Sequence, residues 1–173
     1  PQVCRSVEYA LKYSQSKYGG LSADGKPTGL IHCLQGNLIS ALLDLGYLGD
    51  ERLTQALVWL ARSIIGDEIA PAEPKGAAVR YYRSGNSAPG FVCSANNHLP
   101  CAWGAVKALL ALSKVSKVSR TPTIEAAIQQ GVDFLFSRDP ASADYPMGYA
   151  AKPSQSWFKF GYPIGYVTDM LQI

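Results

Sequence analysis

The sequence predicts an all-α domain built of antiparallel helix hairpins, and three observations carry that prediction. A stretch over 33–64 recurs loosely over 101–135, and each copy opens Cys-x-x-Gly (Cys33 to Gly36, Cys101 to Gly104). Each copy then supplies two apolar, helix-spaced runs separated by a break. The first copy reads Leu38, Ala41, Leu42, Leu45, then Leu53, Leu57, Leu60, Ile64; the second reads Val106, Leu109, Leu110, Ser113, then Ile124, Ile128, Gly131, Leu135. The composition is 47% hydrophobic and only 17% charged over 173 residues, which suits one domain with a large interior, or a face that another segment covers. A helix-hairpin repeat buries its apolar face only by stacking on copies of itself.

The elements follow in order. Val3, Val7, Ala10 and Leu11 share one face of a helix over 3–17, spaced like the second helix of each copy, and Gly19-Gly20 stops it. Residues 21–29 are turn-rich. A helix over 32–46 ends near Gly46; Asp50 then caps a helix running to about residue 65, its carboxylate accepting from the free amides of the first turn. Pro71, Pro74, Gly76, Gly85, Pro89 and Gly90 mark 66–97 as a long inserted loop, with one short strand and turn expected over 78–86. A helix over 100–113 comes next. Thr121 caps the following one, with Pro122 at its first position and Glu125 favourable near its start, and this helix ends near Arg138 before Asp139-Pro140.

Residues 139–156 read as loop. The segment 157–173 reads as the inner helix of a third copy, with Pro163 where Cys33 and Cys101 stand and Leu171 at the Ala41 position. The expected array is therefore outer and inner helices in alternation, about six in all. The chain opens at Pro1 and stops at Ile173 within an apolar helical pattern, as a piece of a longer protein does.

Charge and apolar runs narrow the function classes. The net charge is +3 and the densest basic patch is only Lys114, Lys117 and Arg120, so the concentrated basic face that collects nucleic-acid phosphates is missing. No run of 18 apolar residues spans a bilayer. The cysteines do not have the look of staples in a small secreted fold, and reduced thiols in the cytoplasm are expected.

Cys33-Leu-Gln-Gly-Asn-Leu-Ile-Ser-Ala-Leu-Leu-Asp-Leu-Gly-Tyr, Cys101-Ala-Trp-Gly-Ala-Val-Lys-Ala-Leu-Leu-Ala-Leu and Phe160-Gly-Tyr-Pro-Ile-Gly-Tyr-Val-Thr-Asp-Met-Leu, with the outer helices, cover most of the chain. They resemble the α/α-toroid superfamily of terpenoid (squalene) cyclases and protein prenyltransferases, and more closely uncharacterised bacterial cyclase-like repeat proteins. The run from Gln15 through Gly19 to Leu21 is similar to a cyclase turn motif, Gln-x-x-x-Gly-x-Trp, with Leu in place of Trp. The resemblance implies an α/α-toroid-like array around an apolar cavity that holds an isoprenoid chain. The Asp-x-Asp-Asp acid motif of squalene cyclases is absent from the sequence, and the hairpins are too few to close a ring.

Cys93, His98 and Cys101, with His32-Cys33 at the equivalent helix start, are candidate metal ligands. Thiolate and imidazole suit zinc, and prenyltransferases, by the resemblance, use a zinc held by Asp, Cys and His. The competing reading packs the cysteines as small hydrophobes. A thiolate at a helix N-terminus would also be nucleophilic. Asp169, on the third inner helix, is the candidate catalytic acid, its carboxyl kept protonated by apolar surroundings. Asp44, at an inner-helix C-terminus, is expected to be solvated. Cys33, Cys101, Trp157, Tyr162 and Tyr166 are the candidate ligand-binding residues; Trp59 and Trp103 are expected in the core.

Two functions are open. One is a cyclase- or prenyltransferase-like domain that binds an apolar, isoprenoid-like molecule between its inner helices. The other is a non-catalytic scaffold whose concave face takes a partner protein.

Overall fold

The computed structural model describes residues 2–70, 82–83, 86–160 and 167–173. Within them the chain is mostly helical, with five α-helices: α1 (Gln2–Ser14), α2 (His32–Asp44), α3 (Glu51–Ile65), α4 (Ala102–Ser113) and α5 (Pro122–Leu135). The caps anticipated from sequence are present. Asp50 accepts from the Arg52 amide at 2.9 Å, and Thr121 accepts from the Ile124 amide at 3.2 Å with Pro122 at the first helical position. Gly66, at φ 80°, takes the left-handed conformation that closes α3, a position a side chain would strain.

The helices pack in two layers. α2 lies along α4, and α3 lies along α5, while α3 backs α2 and α5 backs α4. Leu53, Leu57, Leu60 and Ile64 of α3 are buried as expected, as are Ile124 and Leu135 of α5. On α2 the buried face is Ile39 and Leu42; Ala41 and Leu45 are exposed and border a groove against α1 instead. α4 is buried nearly all round, from Ala102 to Leu112, which is why its sequence has no clear apolar stripe. At Gly131 an added Cβ would come 2.7 Å from the Leu109 side chain, so the glycine in the second copy makes room for α4 to approach α5.

The turn after α1 ties three helices together. The Gln15 side-chain amide donates to the Arg52 carbonyl on α3 at 2.9 Å and to Gly19 at 3.3 Å, and the Leu21 amide donates to the Gln35 side chain on α2 at 3.3 Å. Leu21 itself is in the core. Because Gln15 pairs with Leu21 across this turn, α1 ends at Ser14, earlier than its apolar pattern suggests.

Two expectations need correction. The chain is not all-α: β3 (Ser87–Ala88), β4 (Val92–Cys93) and β5 (Leu99–Pro100) form a small antiparallel sheet, and β1 (Ile69–Ala70) pairs in parallel with β2 (Tyr82–Arg83). Strands of two residues are too short to show an alternating pattern. Most of 78–86, where a strand was expected, lies outside the described residues. The third inner helix is also not seen among the described residues of 157–173, which hold only short 3₁₀ turns at Gln155–Phe158 and Met170–Gln172. No helix among the described residues is long and apolar enough to cross a membrane.

His32, at the start of α2, is wholly enclosed. Its Nε2 lies 3.0 Å from Ser63 Oγ on α3, whose own hydroxyl proton goes to the Leu60 carbonyl at 2.7 Å, so the ring donates from Nε2. Burial pushes its pKa down from 6.5 to about 4. The unfolded chain therefore binds a proton that the folded chain refuses. Stability is full above pH 6.5 and falls as pH drops from there toward 4, by about 3 kcal/mol in all. Denaturant unfolding between pH 7 and 5 checks this: His32→Gln flattens the slope, and a slope that survives the substitution assigns it to another group.

Candidate functional site

α2 and α4 begin at the same end of the domain because their backbones touch one turn further in. A Cβ placed on Gly36 would overlap the Lys107 carbonyl, and one on Gly104 would sit 3.4 Å from the His32 Cβ. Gly36 is thus what lets the two helices meet, while Gly104 packs on His32 at ordinary van der Waals distance. The cysteine of each Cys-x-x-Gly, one turn earlier, is left facing a cleft of about 270 Å³.

Three walls enclose that cleft. The start of α2 gives Ile31 and Cys33; the β4–β5 hairpin and the start of α4 give Cys93, Cys101 and Trp103; the loop after α5 gives Tyr145, Met147, Tyr149 and Trp157. The last wall is held by Asn96. Its side-chain amide donates to the Pro100 carbonyl at 2.9 Å and to Pro146 at 3.0 Å, and its oxygen accepts from the Gly148 amide at 3.0 Å. Gly148 packs against the Asn97 Cβ so closely that no side chain fits. A chain of rings runs behind the cleft, Phe91 to Phe134 to Tyr145 to Trp157, with centroids 5.7, 6.1 and 5.4 Å apart. Phe91 is fully buried at φ 63°, a strained conformation for an aromatic residue that this packing sustains.

Three cysteines, Cys33, Cys93 and Cys101, stand in the lining beside Asn96 and Ser154. The neighbouring Cys101 thiol, with the backbone amides of Ala95 and Asn96, pulls the Cys93 thiol down to about 6. The neighbouring Cys93 and burial push Cys101 up. Cys101 also caps α4, accepting weakly from the Gly104 amide at 3.5 Å.

Of the residues picked from sequence, Cys33, Cys101 and Trp157 line the cleft together, and Cys93 joins them. Trp59 is buried as expected, but Trp103 is a half-buried cleft residue. His98 is exposed and is not among the lining residues, and no group of three His, Cys, Asp or Glu among the described residues is placed to hold a metal ion. Tyr162 and Tyr166 lie outside the described residues. Asp169 is buried away from the cleft lining. It caps the final 3₁₀ turn, accepting from the Leu171 amide at 3.0 Å, and its charge opposes the loss of the proton from the buried Lys107. Asp44 is exposed and pairs with Lys114 at 2.5 Å. Sequence reasoning missed Tyr145, Met147 and Tyr149; the only signal was their crowding in a loop otherwise poor in large apolar residues.

No protein-family model, curated protein or solved structure matches the chain.

Asn96→Ala tests the clamp. It removes the hydrogen bonds to Pro146 and Gly148 and is expected to cost about 2 kcal/mol. Hydrogen exchange at 145–149 should speed up selectively; unchanged exchange there would mean that Asn96 does not hold this wall.

Proposed function

We infer that this chain is a helical domain of the α/α-toroid kind that binds a short apolar molecule, of isoprenoid class, in the cleft at the N-terminal ends of α2 and α4. In this reading α1, α3 and α5 are outer helices, and α2 and α4 are inner ones. The observation that carries it is the cleft: Ile31, Trp103, Tyr145, Met147 and Trp157 line it with apolar surface, open at the inner-helix starts where sequence had marked a rim. The Gln15–Leu21 turn, which binds an outer helix to the next outer and inner ones, supports the resemblance independently.

At about 270 Å³ the cleft falls just below the usual range of ligand sites, about 300 to 1,000 Å³. It suits a short chain better than a long polyisoprenoid. No carboxylate is among its described lining residues, and Asp169 lies elsewhere. The lining therefore favours binding over acid-initiated cyclisation.

The alternative, a scaffold for a partner protein, draws on a different feature. Val3, Ala10, Ala41 and Leu45 border an apolar groove between α1 and α2, and Tyr9 and Tyr13 stand exposed on α1.

Tryptophan fluorescence during titration with geraniol and farnesol separates the two. Trp103 and Trp157 should report saturable binding. Met147→Trp, which fills the cleft and leaves the α1–α2 groove alone, should weaken it by about tenfold or more, the equivalent of about 1.4 kcal/mol. No saturable change with either alcohol, or equal affinity in the filled variant, would overturn the cleft reading.

A further inference from the structure

We propose that Cys93 and Cys101 form an oxidation site, in which a hydroperoxide oxidises Cys93 and Cys101 then closes an intramolecular disulfide on the cleft wall. This goes beyond ligand binding and does not depend on it. Both cysteines are free thiols, and each shifts the titration of the other, as near neighbours do. Their placement comes from the hairpin: Cys93 pairs with Leu99 across β4–β5, and the Cys101 amide donates to the Phe91 carbonyl at 2.9 Å, so the cysteines are diagonal neighbours on one face. Both border the cleft, which gives a small oxidant a way in.

The two sulfurs have different surroundings, and those surroundings assign their roles. Cys93, on β4 and open to the cleft, stands beside Cys101 and the amides of Ala95 and Asn96, surroundings that favour its thiolate. Cys101 keeps the proton. In the first step the Cys93 thiolate attacks the terminal peroxide oxygen; the O–O bond breaks, and the alkoxide or hydroxide leaves with a proton from solvent as alcohol or water. Cys93 is then a sulfenic acid. In the second step the Cys101 sulfur attacks the Cys93 sulfur, the S–O bond breaks, and hydroxide leaves with the Cys101 proton as water. The dithiol loses two electrons and the peroxide gains them.

Diagonal neighbours in a ladder have Cα atoms about 7–8 Å apart, at or just past the span of an unstrained disulfide, about 4.4–6.8 Å. Closing the bond must draw β4 and β5 together. Each strand is two residues long, so the adjustment falls within the β4–β5 hairpin. The strain makes the bond easy to reduce again, as a reversible modification requires.

The test uses the reduced whole chain, treated with hydrogen peroxide and then alkylated. Mass spectrometry should find two of the four cysteines lost to alkylation, a peptide joining Cys93 to Cys101, and full recovery with dithiothreitol. In Cys101→Ser, Cys93 should stop as a sulfenic acid that dimedone captures, at least tenfold faster than exposed Cys4 reacts. In Cys93→Ser, Cys101 should react no faster than Cys4; circular dichroism shows that each variant is folded. A disulfide joining any other pair, or Cys93 reacting at the Cys4 rate in folded Cys101→Ser, would overturn the proposal.

Discussion

The backbones of α2 and α4 meet where Gly36 faces the Lys107 carbonyl, and most of what is distinctive in this domain depends on that contact. Side chains normally hold helices about 8–10 Å apart; with no Cβ at Gly36 the two helices close further. Gly104, on the α4 side, lies against His32 at ordinary van der Waals distance. Lys107 carries a further link from this crossing. It is buried, and its ammonium group donates to the Gln172 side chain at 2.6 Å, so desolvation lowers its pKa while Asp169 opposes the shift. The same lysine thereby fastens the C-terminal turn to the centre of the domain.

The contact also explains why a cysteine precedes each glycine by three residues. One helical turn separates them, so when the glycines sit at the crossing the cysteines sit at the helix ends, beside each other. The aromatic chain and the Asn96 clamp then supply what α2 and α4 cannot, a wall from the loop after α5. The result is an apolar cleft whose reactive groups are thiols.

Much of the helical frame was legible. Asp50 and Thr121-Pro122 signalled helix starts through local chemistry that needs no tertiary partner, and α3 showed its buried stripe because its other face meets water. α4 did not, since a helix covered on all sides has no stripe to show. The sheet escaped because two-residue strands carry no period. Over 157–160 and 167–173 the apolar residues follow the inner-helix pattern, yet the chain there holds short 3₁₀ turns. Cys33, Cys101 and Trp157 were placed at one site by repeat logic. Tyr145, Met147 and Tyr149 were not, because their position depends on hydrogen bonds from Asn96, far away in the chain, and loop residues carry no periodicity that would announce such a partner.

The most direct test of the account is the unfolding free energy of Gly36→Ala beside that of Gly49→Ala, whose added methyl meets open space. Propensity alone makes alanine better than glycine inside a helix by about 0.5–1 kcal/mol. The helix contact predicts the opposite sign at Gly36, a loss of about 1–3 kcal/mol, with Cys33 and Cys101 becoming more reactive to thiol reagents as the helix ends separate. Gly49→Ala should change little. A Gly36→Ala protein as stable as the parent, with its thiols equally shielded, would contradict the claim that this glycine sets the site.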